Sequence, residues 1–438
     1  MRLASMLLPV LLSGLTTAAC SGPTATITAR LNSPTIYTSG GRAYLQLSVC
    51  VPQITGRDRK PMNLSVVLDR SGSMADQGKL EYAKEALCAL VDRLREEDIL
   101  SIVMYDDVIE VLRPAGRVGN KEQIKRMVRR IEPRNSTNLG GGMAEGYRQV
   151  ERNMYREFVN RVVLLSDGLA NVGITDDREL SRIARRYRHK GISLTSMGVG
   201  LDYNENLMVM LAEGGGGNYY FIESPHGLAH IMRREFDLMS ALYAHHASIE
   251  IRLGSHIRVA DVIGHEWRTQ GETCSIDLGD LYGGDSRDIT IELDVPEGAG
   301  SVRLADGVLQ HKGEDASDVR LGSFSASARY ASDQREVDRD RDLEAQAKAD
   351  VALSTRAVDK ATQALDEGRA EEAQAILHDA ETDLLASPAA PAGGVAGAAV
   401  EAQSRRLQEY KQMLGEDKDA RRAKKEIQYQ NYKTQKHK

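Results

Sequence analysis

The chain has 438 residues, 41% of them hydrophobic, enough for two or three folded units with ordinary cores. Aromatic residues make up only 5%, so those cores must be aliphatic. With 57 Lys and Arg against 63 Asp and Glu, the net charge of −6 argues against nucleic-acid binding as the main role.

Residues 1–20 read as a signal segment, separate from the fold. Arg2 opens a weakly positive stretch, an apolar run follows over 3–15, and Thr16-Thr17-Ala18-Ala19 precede Cys20. The run is too short to span a bilayer and small residues follow it, the pattern of an export signal. Residues 15–20 also resemble a bacterial lipobox, although Thr17 stands where such boxes usually carry Leu. That resemblance implies lipidation of Cys20 and a membrane tether without a spanning helix, at the bacterial cell envelope on the outer-membrane, periplasmic or cell-surface side. Plain secretion and an uncleaved anchor are the alternatives.

Residues 24–60 hold two alternating β segments, 24–31 and 44–51, separated by the turn Thr38-Ser39-Gly40-Gly41. Over 61–243 the rhythm changes. Short apolar runs at 64–68, 99–105, 159–165, 192–199 and 219–222 alternate with helical stretches near 79–95, 121–131, 139–155, 178–190, 205–212 and 226–243. Continuous apolar strands between amphipathic helices predict an α/β, Rossmann-like unit: a mostly parallel sheet with helices on both faces. Residues 108–112 suit an antiparallel edge hairpin. From 247 alternating strands return, at 248–253, 256–262, 273–278, 288–295 and 321–327. The economical reading is a β-sandwich of 24–60 plus 245–330, with the 61–243 unit inserted.

A C-terminal helical region follows. Residues 338–386 read as a helical hairpin around Asp366-Glu367-Gly368-Arg369, similar to one tetratricopeptide unit, which must dock to bury its apolar face. Residues 387–399 are rich in Pro, Ala and Gly and read as a linker. Residues 400–438 hold a last helix, 401–413, and a tail whose eight Lys or Arg face only Asp419 and Glu426, the composition of a solvated end. Beyond Cys20, the chain has Cys50, Cys88 and Cys274. Cys50 and Cys274 are the only attractive disulfide pair, but alternation puts Cys50 on a polar face and Cys274 on an apolar one. Cys88 belongs to a helical core stripe. Neighbouring His245 and His246 lie on a strand pattern that sends them to opposite faces.

The chemistry concentrates in three segments. Leu64-Ser65-Val66-Val67-Leu68 runs into Asp69-Arg70-Ser71-Gly72-Ser73 before a helix. In a parallel sheet this lies in the crevice beyond the strand carboxyl ends, where side chains 69, 71 and 73 can converge. Asn135-Ser136-Thr137-Asn138 offers a hydroxyl just before a helix, and Leu164-Leu165-Ser166-Asp167-Gly168 ends a second strand in a carboxylate. All donors are oxygen, which suits a hard cation such as Mg²⁺ and serves zinc or copper poorly. Asp76, Asp106 and Asp107 read as caps or turn residues, and Arg70 and Asn171 as candidates for the partner surface.

Asp69-x-Ser71-x-Ser73, Thr137 and Asp167-Gly168 resemble the metal-ion-dependent adhesion site of von Willebrand factor A-type domains, shared with integrin inserted domains. Gly214 to Gly217 before Asn218-Tyr219-Tyr220-Phe221 is similar to the glycine-rich approach to that family's last strand. The resemblance implies Mg²⁺, or Mn²⁺ or Ca²⁺, at Asp69, Ser71, Ser73, Thr137 and Asp167. It also implies a protein partner supplying Asp or Glu to the ion, and an affinity switch through sliding of the helix at 226–243. The flanking strands extend the likeness to bacterial exported proteins similar to calcium-activated chloride channel regulators and inter-alpha-trypsin inhibitor heavy chains. An adhesion or scaffolding module is therefore the leading expectation, not an enzyme. A Mg²⁺-dependent hydrolase is disfavoured because Asp69 is followed by Arg70 and Ser71, where catalysis would want a second carboxylate. A third reading assigns partner binding to the helical C-terminal region.

Overall fold

The computed structural model describes residues 22–54, 59–134, 136–155, 157–313, 317–415 and 420–436. Cys20 and the segment before it lie outside the described residues. The chain opens with β1 (Thr26–Leu31), β2 (Thr35–Tyr37) and β3 (Gly41–Cys50). It then builds the α/β unit from β4 (Met62–Asp69), α1 (Lys79–Arg93), β5 (Ile99–Tyr105), β6 (Ile109–Arg117), α2 (Lys121–Arg129) and α3 (Leu139–Glu151). The unit continues through β7 (Val159–Ser166), α4 (Asp177–His189), β8 (Ser193–Val199), α5 (Glu205–Gly215), β9 (Gly216–Ile222) and α6 (Leu228–Ser240).

The sheet order is β6-β5-β4-β7-β8-β9, parallel except for the β5–β6 hairpin. Every residue of β4, β5, β7 and β8 is buried, which is why these strands read as continuous apolar runs. Val66 and Leu68 pack with α1, α2 and α6 on one face, while Val67 packs with α3, α4 and α5 on the other. Edge strand β6 runs longer than 108–112 and accommodates Pro114, as only an edge can. The three glycines opening α3 let that helix lie hard on the sheet. A Cβ on Gly142 would stand 2.6 Å from the Tyr105 ring.

One residue after α6, the chain enters β10 (Leu242–Leu253), followed by β11 (Arg258–Val262), β12 (Trp267–Gln270), β13 (Thr273–Tyr282), β14 (Ser286–Val295), β15 (Ser301–Lys312) and β16 (Asp318–Ala331). Two sheets result, ordered β1-β3-β14-β11 and β12-β13-β10-β15-β16-β2. β3 pairs with β14 along its whole length, from Gly41 opposite Val295 to Cys50 opposite Ser286. Chain segments on both sides of the α/β unit thus share one aliphatic core, with Leu45, Leu47, Ile249 and Ile289 among its buried members. Cys274 sits in that core as a free thiol, so it does not bridge to Cys50.

Among the described residues, five helices complete the fold: α7 (Gln334–Arg339), α8 (Leu343–Asp366), α9 (Ala370–Ala386), α10 (Gly394–Gly415) and α11 (Ala420–Lys436). α8 and α9 form the hairpin, and α8 docks on the sandwich through Lys348–Asp288 at 2.7 Å and Arg356–Glu292 at 2.9 Å. Two expectations change here. Helix α10 begins at Gly394, inside the stretch read as a linker. The described part of the basic tail is a packed helix: Tyr432 is buried in the α/β core, its hydroxyl accepting from the Tyr219 N–H at 3.2 Å. The Lys425 ammonium donates to the Tyr203 carbonyl at 2.6 Å and pairs with Glu205. The aliphatic stems of such lysines pack while their heads find acceptors. Among the described residues, no helix is long and apolar enough to cross a membrane.

Candidate metal centre

β4 and β7 are neighbours in the parallel sheet, so Asp69 and Asp167 emerge side by side at its carboxyl edge. The chain bends at once after β4. The Ser71 N–H donates to Asp69 Oδ1 at 2.8 Å, and Ser166 Oγ donates to Asp69 Oδ2 at 2.8 Å. Ser71 Oγ and Ser73 Oγ lie 3.2 Å apart, and Ser73 Oγ donates to Asp167 Oδ1 at 2.8 Å. Thr137 arrives from the third loop. A Cβ built on Gly168 would be 3.4 Å from Thr137 Oγ1 and 3.8 Å from Ser73 Oγ. The structure therefore brings the hydroxyls of Ser73 and Thr137 to the same small volume beside Asp167.

Backbone bonds lock the three loops together. The Arg134 N–H reaches the Arg70 carbonyl at 2.7 Å, the Asn138 N–H the Asp106 carbonyl at 2.8 Å, and the Asn171 N–H the Thr137 carbonyl at 3.1 Å. Asn171 also accepts from the Thr137 N–H at 2.9 Å, so it positions that residue. Asn138 caps α3 by accepting from the Gly141 N–H. Arg70 departs from the expected surface role. It is buried and donates to Asp106 at 2.7 Å, with Glu110 at 3.0 Å on its other side. Its guanidinium ties the first loop to the β5–β6 turn, leaving the rim to residues such as Leu169, which is 57% exposed.

The electrostatics are set by two buried carboxylates. Asp69 and Asp167 are fully buried. Burial, aided by the neighbouring Asp167 charge and opposed by the Ser71 and Ser166 hydrogen bonds, pushes Asp69 up to about 6. The residue that sequence reasoning missed is Lys79, the first residue of α1. Its ammonium lies 2.7 Å from Asp167 Oδ2 and is itself buried, while Oδ1 of the same carboxylate faces the serines. A lysine past the motif, at the head of a helix, reads as an ordinary solvated residue. Left-handed Gly78, at φ +69°, is the signal that the chain kinks there and turns the lysine inward. Among the described residues, no three His, Cys, Asp or Glu converge on one point, and here the donors are two carboxylates and three hydroxyls. That set fits a hard cation that keeps open positions.

Residues 63–234 match the model of the von Willebrand factor type A domain family. A relative in Escherichia coli, the uncharacterized protein YfbK, is 28% identical over 258 residues, covering 58% of this chain and 45% of its own. Inter-alpha-trypsin inhibitor heavy chain H3 of Rattus norvegicus is 26% identical over 160 residues, covering 35% and 18% of the two chains. The chain thus spans about half the length, or less, of these relatives. The solved von Willebrand factor type A structure from Catenulispora acidiphila superposes with a TM-score of 0.72 at 16% identity, covering 95% of this chain and 97% of that one. At that identity the likeness speaks for the fold, here over nearly the entire chain.

Proposed function

We propose that the three loops hold a divalent cation at Asp69, Ser71, Ser73, Thr137 and Asp167, and that a protein partner completes its coordination with an Asp or Glu side chain. Mg²⁺ is the preferred ion, with Mn²⁺ or Ca²⁺ as substitutes. The carrying observation is the pair of fully buried carboxylates beside clustered hydroxyls, with Lys79 neutralising one of them. Two carboxylates and a lysine leave a bound ion short of negative ligands, so an incoming carboxylate is attracted. When bound, the ion supplies the Lewis acidity that grips that carboxylate. This chain's residues orient the donors, exclude water from beneath them and set the rim. Exposed Leu169 gives the partner an apolar contact beside the ion. The interaction is adhesion or scaffolding.

On its first twenty residues, the chain is exported to the bacterial envelope, with Cys20 as the lipid anchor. The test is capture of partners from envelope extract in Mg²⁺ against EDTA, with Asp69→Ala as control. Loss of the same partners in EDTA and in the variant supports the reading. Undiminished capture in EDTA refutes it.

A further inference from the structure

At the opposite end of the α/β sheet from the metal loops, a cavity of about 370 Å³ opens between that domain and the sandwich. Four of the chain's ten histidines line it: His189, His245, His246 and His311. Lys60, Lys190 and Lys312 line it as well, and none of its described lining residues is acidic. This concentration is built, not incidental. Adjacent strand residues should face opposite ways, yet His245 and His246 both reach the cavity. The cause is a β-bulge in β10, where the register with β13 slips between Ala244 and Ala247. His246 adopts φ +50°, a left-handed conformation that is uncommon for a side-chain-bearing residue. Strain of this kind persists only where the surrounding structure fixes it.

The Nε2 atoms of both histidines are buried without a hydrogen-bond partner. Orphaned buried polar atoms call for a ligand. We infer that this cavity binds a phosphate-type oxyanion, through the His246 and His311 imidazoles and Lys60, with Lys190 and Lys312 at the mouth. The imidazoles supply N–H donors and the lysines charge, the combination that recognises a compact multivalent anion. Met154 and Tyr243 leave room for the organic part of a phosphomonoester. A histidine-chelated metal is a poorer match, because no three His, Cys, Asp or Glu among the described residues converge on one point.

The charged surroundings set the pH response. Burial lowers the pKa of His246 against the pull of Asp280 and Asp277, with His245 and Arg188 adding to the fall. Burial also lowers His311, helped by Lys60 and His245, against a hydrogen bond to the Lys312 carbonyl. Lys190 and Lys312 are paired on their outer sides with Glu151 and Asp318. As phosphate binds, the two neutral imidazoles take up protons from solvent while phosphate itself gives up at most one, so binding strengthens as pH falls.

The probe is inorganic phosphate, titrated by calorimetry into the full chain in EDTA at pH 6 and pH 8. One saturable site, tighter at pH 6, is expected. In His246→Asn with His311→Gln, affinity should fall at least about tenfold. Asparagine tolerates the left-handed backbone, so the fold survives, which thermal unfolding without phosphate checks. Lys60→Gln, away from the bulge, should weaken binding in the same direction. Vesicles of phosphatidic acid in phosphatidylcholine identify the source. Capture that free phosphate competes away means a lipid headgroup, and phosphate binding without capture means a soluble anion. No saturable phosphate site, equal affinity in all variants, or one Zn²⁺ bound per chain at these histidines in place of phosphate would overturn the proposal.

Discussion

Replacing Asp69 with asparagine should make the metal-free protein more stable and the metal-loaded protein less so. Asp69 is fully buried, with its pKa raised to about 6 by that burial. The unfolded chain releases this proton near pH 4, so between about pH 4 and 6 the folded state holds a proton that the unfolded state has lost. Stability from this group is therefore complete below pH 4 and declines as pH rises through 6. The span of about two units amounts to roughly 3 kcal/mol at pH 7. The asparagine side chain carries no charge. Its carbonyl can still accept from the Ser71 N–H, and its amide can donate to Ser166 Oγ, whose hydroxyl rotates to suit. Allowing for imperfect replacement of those bonds, we expect a gain of about 1–3 kcal/mol in chelator at pH 7.

Hydrogen exchange of peptides covering β4 and β7 reads the stability of this sheet apart from the other units. In EDTA, Asp69→Asn should exchange more slowly than the parent at pH 7, and the advantage, corrected for intrinsic exchange, should vanish toward pH 4. With Mg²⁺ at about 1,000 times its Kd, the parent gains about 4.1 kcal/mol and the variant none, so the order reverses. A variant less stable than the parent in EDTA at pH 7, or an advantage equal at pH 4 and 7, would show that the buried Asp69 charge is not the source of strain.

Lys79→Met removes the tethered cation from Asp167, so Mg²⁺ should bind about tenfold tighter, a change of about 1.4 kcal/mol, while the partner's carboxylate binds more weakly; Mn²⁺ relaxation measures the first and calorimetry the second. Arg161→Leu leaves Glu235 and Asp280 buried without their shared guanidinium, so thermal unfolding should report a loss of about 3–5 kcal/mol. Tyr432→Ala should undock α11, seen as rapid proteolysis within 420–436 while the rest of the chain stays intact; resistance equal to the parent would mean that the Tyr219 contact does not hold the helix.

What the sequence made legible was whatever depends on local pattern. Buried parallel strands must be apolar throughout, so β4, β5, β7 and β8 announced themselves, and each metal-loop donor sits next to such a strand or a capped helix start. The motif residues were readable because their spacing follows from a bend after a strand. Lys79 was not, because its inward turn depends on a left-handed Gly78. The His245–His246 cavity was hidden for a related reason: alternation assumes an unbroken strand, and a bulge reverses it at one step. Counting charges also misjudged the C-terminus. The lysines of α11 masked Ile427, which packs among the C-terminal helices, and Tyr429 and Tyr432, which pack on the α/β core and flank Tyr219 edge-on at 5.8 and 5.7 Å.

The buried network around Arg161 bears on regulation. The resemblance to A-type domains implied an affinity switch by sliding of the helix at 226–243, here α6. In this chain, Glu235 of α6 accepts hydrogen bonds from Arg161 at 2.8 Å, Thr195 at 2.6 Å, Asn218 at 2.7 Å and Tyr220 at 2.8 Å, all buried. Although burial opposes ionisation, Arg161 and these donors lower the Glu235 pKa, so the carboxylate is charged. A slide of one turn, about 5.4 Å, would break all four bonds. At about 1.5–3 kcal/mol for each bond to a charged group, that is roughly 6–12 kcal/mol, comparable with the whole stability of a domain. Arg161 also binds Asp280 and Tyr282 of β13, at 2.8 and 2.7 Å, and β10 starts one residue after α6. The helix has no slack, and its anchor is shared with the sandwich. Any change reaching the metal loops through α6 must therefore move the sandwich with it, which makes the domain boundary, not the helix alone, the mechanical unit of this protein.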